Sequence, residues 1–199
     1  NLNRHNNNEH QEQYLNSMEH NINKIKLITN TLVKYGMSKK CNKSRVNLNE
    51  LIEDVILIVR GTAKRHQVTL EKNSASNCIS ITGDKIRLYQ VIMNLLRNSF
   101  KALENSNDKK ILIKIDKVVK DKANQAVINI IDTGCGIAKE NQKKIFEEAF
   151  SDTGNSEKNT HLGLGLAIVK NIMIDHHGEV NVYSELNKGA RFELKFKAI

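Results

Sequence analysis

The chain has 199 residues, 39% of them hydrophobic, with 31 Lys and Arg against 22 Asp and Glu and a formal charge of +9. That length supports one solid domain plus an extra element, and no apolar run is long enough to span a bilayer. The basic residues are spread along the chain and aromatics reach only 5%, which argues against a nucleic-acid surface, while three scattered cysteines, Cys41, Cys78 and Cys135, lack metal-ligand spacing and point to a reducing compartment.

Residues 1–8 are Asn-rich and polar, as a frayed end would be. From about Glu9 to Met37 the pattern is helical. Leu15, Met18, Ile22, Ile25, Thr29 and Leu32 are spaced 3-4-3-4-3, a heptad seam that Ile28 and Val33 widen. Such a helix would be roughly 40 Å long. It needs a partner helix or a second copy of itself to bury the seam; the plainer alternative is a helix lying on its own domain. Proline is absent from the chain, which fits long uninterrupted helices.

Residues 38–47 are polar and read as a linker. Leu48 to about Lys64 reads as an amphipathic helix capped by Asn47 or Asn49. Val68-Thr69-Leu70 and Ile79-Ser80-Ile81 alternate as short strands, and Asp84 is a suitable N-cap for a helix running to about Leu103. Ile111–Val119 and Ala126–Ile131 read as strands around a polar turn at 120–125. A short helix is expected over about 139–147, then a Gly/Ser/Asn-rich mobile loop over 148–162, then a helix from Gly163 to about His176. Val180–Tyr183 and Arg191–Lys197 close the chain as a hairpin around Asn187-Lys188-Gly189. The order predicts an α+β fold: a two-layer α/β sandwich with a mixed sheet and helices on one face, preceded by the long N-terminal helix. The expected division is 1–37 as helix, 38–47 as linker and 48–199 as domain.

Three stretches carry candidate chemistry. Asp132 ends a strand and is followed by Gly134, Gly136 and Ile137. A carboxylate there can accept a hydrogen bond from the exocyclic amino group of adenine, whereas guanine presents a carbonyl and is repelled. The glycines let the backbone approach a flat ring. A bland Asp-x-Gly-x-Gly turn is the competing reading. On the helix over 84–103, Asn94, Asn98 and Lys101 share one stripe. One carboxamide oxygen toward a metal–triphosphate and the ammonium on a phosphate would satisfy that stripe, as would backbone or water contacts. Gly163-Leu164-Gly165-Leu166 opens a helix after the polar loop. Glycines at a helix start expose N–H groups to an anion, or simply allow tight packing.

In order and spacing these stretches resemble the catalytic ATP-binding domain of sensor histidine kinases, in the wider Bergerat-fold family that includes gyrase and MutL. Asn94-Leu95-Leu96-Arg97-Asn98 resembles the N box, and Asp132–Ile137 the first glycine box. Phe146 and Phe150 sit where the lid begins, His161–Leu166 resembles the second glycine box, and Asn187–Phe192 resembles the Gly-Thr-x-Phe hairpin. The likeness covers about residues 47–199. It implies ATP and Mg²⁺ as cofactors, with Asn98 as the metal ligand, Asp132 holding adenine, and Lys101 on phosphate. Asn94, Gly134, Gly136, Ile137, Phe146, Gly163, Leu164, Gly165 and Leu166 complete the implied nucleotide site. Two positions depart from the pattern: His161 stands for the first glycine of the second box, and Ala190 for the hairpin Thr.

The family's ATPase and serine-kinase branches place a Glu base four residues before the metal-binding Asn. Here that residue is Asn94, which cannot take a proton, whereas a neutral imidazole acceptor needs no base. The implied reaction is transfer of the ATP γ-phosphoryl to a histidine and then to an aspartate of a response regulator. The alternatives are an ATPase or serine kinase of the same fold, and a degenerate dimerising module. Residues 9–37 resemble the second helix of the dimerisation and phosphotransfer hairpin, which implies a homodimer. His5, His10, His20 and His66 are acceptor candidates by sequence, but the family's acceptor sits on the first hairpin helix, so it is expected upstream of residue 1. The chain alone is then expected to bind nucleotide without autophosphorylating, on the cytoplasmic side, with membrane contact only through other parts of its parent.

Overall fold

In the computed structural model the described residues are 42–75, 78–120, 123–147 and 164–199. The predicted helix over 9–37, the linker residues 38–41, His161, Phe150 and Gly163 lie outside them. The elements are β1 (Ser44–Asn47), α1 (Leu48–Arg65), β2 (Thr69–Ser74), β3 (Ser80–Gly83), α2 (Lys85–Ala102), β4 (Lys110–Lys120), β5 (Ala123–Asp132), a 3₁₀ turn (Lys144–Phe146), α3 (Leu164–Asp175), β6 (Glu179–Ser184) and β7 (Ala190–Lys197).

Both long helices start where a side chain can replace missing backbone partners. Asn47 caps α1 by accepting from the Asn49 N–H at 3.0 Å, and its amide donates to Glu50 in the first turn. Asp84 caps α2 by accepting from the N–H groups of Ile86 (3.0 Å) and Arg87 (3.2 Å). Each helix buries one stripe. On α1 it is Leu48, Leu51, Ile52, Val55 and Val59; on α2 it is Leu88, Val91, Ile92, Leu95, Leu96, Ser99 and Phe100.

The main sheet has the order β2-β4-β5-β7-β6, with β2 parallel to β4 and every other pair antiparallel. Register decides which face meets the helices. Ile113 pairs with Ile130 and Ile130 with Phe192; Ile115 pairs with Ile128 and Ile128 with Leu194. These side chains therefore share a face, and all are buried in one core with the helix stripes. The opposite face carries Lys114, Asn129 and Glu193 in one row. A separate two-stranded sheet joins β1 to β3, and an Ile81–Ala198 bridge ties it to the chain end. The predicted α+β sandwich with a mixed sheet is thus observed.

Several element boundaries differ from expectation. Ser44–Asn47 is a strand, not the end of a linker: Val46 is buried opposite Ile81 in an otherwise polar segment. β2 begins at Thr69 and runs on through Glu71-Lys72-Asn73-Ser74, because an edge strand pairs on one side only and tolerates polar residues. β4 and β5 continue to Lys120 and from Ala123, consuming most of the expected turn. The segment 139–147 is no α-helix. Its bonds run Asn141 N–H to Ala138, Lys144 and Ile145 N–H to Asn141, and Glu147 N–H to Lys144; only one bond has α-helical spacing, and the segment is a run of turns ending in one 3₁₀ turn. The Gln142 amide, which donates to the carbonyls of Ile137 (3.1 Å) and Ser184 (2.8 Å), holds it that way.

Candidate functional site

Asp132 is the last residue of β5, and its register against Ile111 and Ala190 turns its side chain to the core face. It is 3% exposed. A carboxylate this deep requires donors, and it has them. Oδ1 accepts from the N–H of Gly134 (3.0 Å) and of Ala190 (3.2 Å), and Oδ2 accepts from the Ser99 hydroxyl (2.9 Å). Burial pushes the carboxyl above its ordinary range, and these three bonds offset that only in part.

The loop behind Asp132 is seated against two other elements. A methyl group on Gly134 would stand 2.6 Å from the Ala102 Cβ and 2.9 Å from its carbonyl oxygen, so only glycine lets the loop lie on the end of α2. The Cys135 N–H donates to that Ala102 carbonyl at 3.1 Å. Gly136 takes φ +72, with the Glu185 carbonyl where a side chain would be. The Ile137 N–H donates to Ser184 Oγ (2.8 Å), whose hydroxyl donates to the Gly189 carbonyl (2.7 Å). Cys135 itself is exposed. The result is a rigid backbone shelf beside a buried carboxylate.

The other candidates lie on α2 and the start of α3. Asn94 is half-buried, and its amide donates to the Gly165 carbonyl at 3.4 Å, joining α2 to the first turn of α3. Asn98, one turn on, is half-buried; Lys101 is exposed on the last turn. Phe146 meets Phe192 edge-on, with ring centroids 6.5 Å apart. Ile137, Phe146 and Leu166 pack against the core. Structure therefore unites Asp132 with its glycine loop, and Asn94 with Gly165, while Asn98 and Lys101 join them only through their shared helix.

Among the described residues no group of three or more His, Cys, Asp or Glu is placed to hold a metal ion. The carboxamides of Asn94 and Asn98 supply neutral hard oxygens only. That donor set fits Mg²⁺ arriving on phosphates with its own waters, not a metal held by protein alone.

Four participants escaped the sequence reading: Ser99, Ser184, Gln142 and the Ala190 N–H. Ser99 left a signal, since it occupies a position in the apolar stripe of α2. A polar residue on such a stripe needs a buried partner. Ser184 and Gln142 left none, because their bonds depend on how β6 meets the loop.

Residues 83–198 match the family described as histidine kinase-, DNA gyrase B-, and HSP90-like ATPase. The chain is 30% identical over 185 residues to the signal transduction histidine-protein kinase AtoS of Escherichia coli, covering 93% of this chain and 29% of that protein. Among solved structures it is similar to the catalytic domain of histidine kinase ThkA in a nucleotide-free form, with TM-score 0.66, 25% identity and 78% and 95% of the two chains covered. It shares its fold with ThkA in complex with the response regulator TrrA, with TM-score 0.72, 20% identity and coverage of 94% and 51%. The chain spans less than half the length of curated relatives of this kind.

Proposed function

Since the chain belongs to the histidine kinase-, DNA gyrase B-, and HSP90-like ATPase family, we propose that it is the part of a two-component sensor histidine kinase that binds Mg·ATP and presents its γ-phosphoryl to a histidine. It is a catalytic ATP-binding domain of the histidine kinase kind, and the phosphoryl then passes to an aspartate of a response regulator. The observation that carries the reading is the buried Asp132 carboxylate at the edge of a glycine shelf. An ionised acid with acceptor capacity left on Oδ2 suits the exocyclic amino group of adenine.

In this reading Asp132 orients the base, and the flat shelf of Gly134 and Gly136 admits the ring. Asn98 holds Mg²⁺, which when bound neutralises phosphate charge. Lys101 meets a phosphate oxygen, and the first turn of α3, with Leu164, Gly165 and Leu166, directs N–H groups at the phosphates; Gly163, outside the described residues, belongs to the same nucleotide site by sequence. Phe146 and Ile137 bound the pocket. Asn94 ties that turn to α2 through Gly165 and offers no base, which favours an imidazole acceptor over water or serine. The acceptor is supplied from outside residues 1–199, and residues 9–37, which lie outside the described residues, are assigned to homodimerisation. Among the described residues no helix is long and apolar enough to cross a membrane; we place this portion in the cytoplasm, where ATP is available.

Calorimetric titration of the chain with ATP tests the site. Asp132→Asn should lose adenine-dependent affinity. Asn98→Ala should retain weak binding but lose its dependence on Mg²⁺, and unchanged affinity in both variants would refute the assignment. Incubation of residues 1–199 with γ-labelled ATP should leave the chain unlabelled.

A further inference from the structure

We propose that Ser99 is the positioning residue that sets base specificity, by donating to Asp132 Oδ2 and so keeping that side chain an acceptor for an amino-purine and not a donor to an oxo-purine. The inference deepens the nucleotide-binding reading and rests on Asp132 being the base-binding group.

Ser99 is 1% exposed on a stripe otherwise made of Leu, Ile, Val and Phe. Its hydroxyl could have satisfied itself on the preceding turn of its own helix, as buried helical serines often do. Instead it crosses to β5 and meets Asp132 at 2.9 Å. The other two donors to that carboxylate, at Gly134 and Ala190, are backbone N–H groups. Ser99 is thus the side-chain donor that the structure gives Asp132 among the described residues. At position 190 of the closing hairpin Asp132 receives no hydroxyl, because Ala190 contributes only its N–H.

The charge state of Asp132 decides what it can read. Ionised, it accepts from an amino group at purine C6. Protonated, it donates to a carbonyl at the same position, and the preference inverts. Burial favours the protonated form, and the Ser99 bond opposes it. The charged side chains on neighbouring elements do not decide the matter. Lys101 on α2, Lys110 on β4 and Arg191 on β7 are exposed, and Glu185 and Lys188 of the hairpin pair with each other at 2.8 Å.

The test uses the full chain, Ser99→Ala and Ser99→Cys, the latter filling the hydroxyl's volume with a weak donor. ATP and GTP affinities are measured from pH 5 to 8, and the Asp132 carboxyl is titrated by ¹³C NMR without nucleotide. Ser99→Ala should titrate at higher pH than wild type, lose ATP at correspondingly higher pH, and between the two titrations show an ATP-over-GTP preference reduced about tenfold, the worth of one charge-assisted bond. Ser99→Cys should follow Ala. Carboxyl titration and preference unchanged in Ser99→Ala, or restored by Cys, overturn the proposal alone. A wild-type chain that binds neither nucleotide overturns the nucleotide-binding reading and this one with it.

Discussion

Asp132 and His176 are both buried, at 3% and 6% exposure, and both bond to backbone on neighbouring elements, yet their surroundings make opposite demands. His176 accepts the Asp84 N–H on Nε2 (2.9 Å), so its proton sits on Nδ1 and is donated to the Ile172 carbonyl (2.8 Å). The Asp84 bond requires a neutral ring, because a protonated Nε2 cannot accept, and burial, the largest cause of its lowered pKa, favours the same form; the Ile172 carbonyl pulls the other way with less effect. At Asp132 burial favours the neutral acid while three donors favour the carboxylate. Burial and the bond from Asp84 agree at the residue that pins α2 to the end of α3, whereas burial opposes every hydrogen bond at the residue assigned to the ligand. A fold carries such a conflict where function needs a charge in a dry place.

The largest break in this comparison is Asp132→Asn. The carboxamide keeps the shape and still accepts from Gly134 and Ala190, but the conflict is gone. ATP affinity should fall beyond about 100-fold, roughly 2.7 kcal/mol, while thermal stability holds or rises. A variant that lost both binding and stability would mean that the carboxylate is structural. The pH slopes should also oppose each other. Asp132, raised from 3.8, contributes stability below that value that is lost as pH rises through its folded pKa.

Next is Gly134→Ala. The added methyl meets Ala102 Cβ at 2.6 Å and its backbone at 2.9 Å, so the loop must lift off α2. About 1–3 kcal/mol of destabilisation is expected in denaturant melts, with ATP binding lost in step. A melt unchanged within error would show that the shelf is soft.

Legibility in the sequence followed the range of the interaction. Caps were readable at Asp84 and Asn47 because an Asx side chain bonds an N–H two or three residues on. Asp132, Gly134 and Gly136 were readable because the acid and its glycines are neighbours. Strand β1 was hidden because a single buried valine, Val46, carries it. The 3₁₀ turn was hidden because Gln142 is held by Ser184, 42 residues away. Ser99 is intermediate: its place on the apolar stripe was visible, and its partner, 33 residues on, was not.

His176→Gln sharpens the other half of the comparison. Glutamine can accept from Asp84 and donate to Ile172 without titrating. In wild type, the ring's lowered pKa makes its contribution complete above 6.5 and lost as pH falls below that toward the folded value. Unfolding free energy between pH 7 and 5 should therefore drop more in wild type than in the variant, by about 1 kcal/mol, one hydrogen bond's worth. Parallel curves would remove His176 from the titration, and ATP affinity at pH 7 should be the same in both.

The smallest effect belongs to the pair beside it. Arg87 on α2 meets Asp175 at the end of α3 at 2.5 Å, with the two side chains 33% and 48% exposed. Solvent reaches both, so Coulomb attraction is screened and the pair is worth about 0–1 kcal/mol at most. Asp175→Asn removes the charge, and its effect should vanish in high salt. The same salt should leave the His176 contribution in place, because a bond between a neutral ring and a backbone N–H has no net charge to screen. If salt erased both contributions alike, the α2–α3 junction would be electrostatic, and the contrast between a self-consistent His176 and a conflicted Asp132 would not hold.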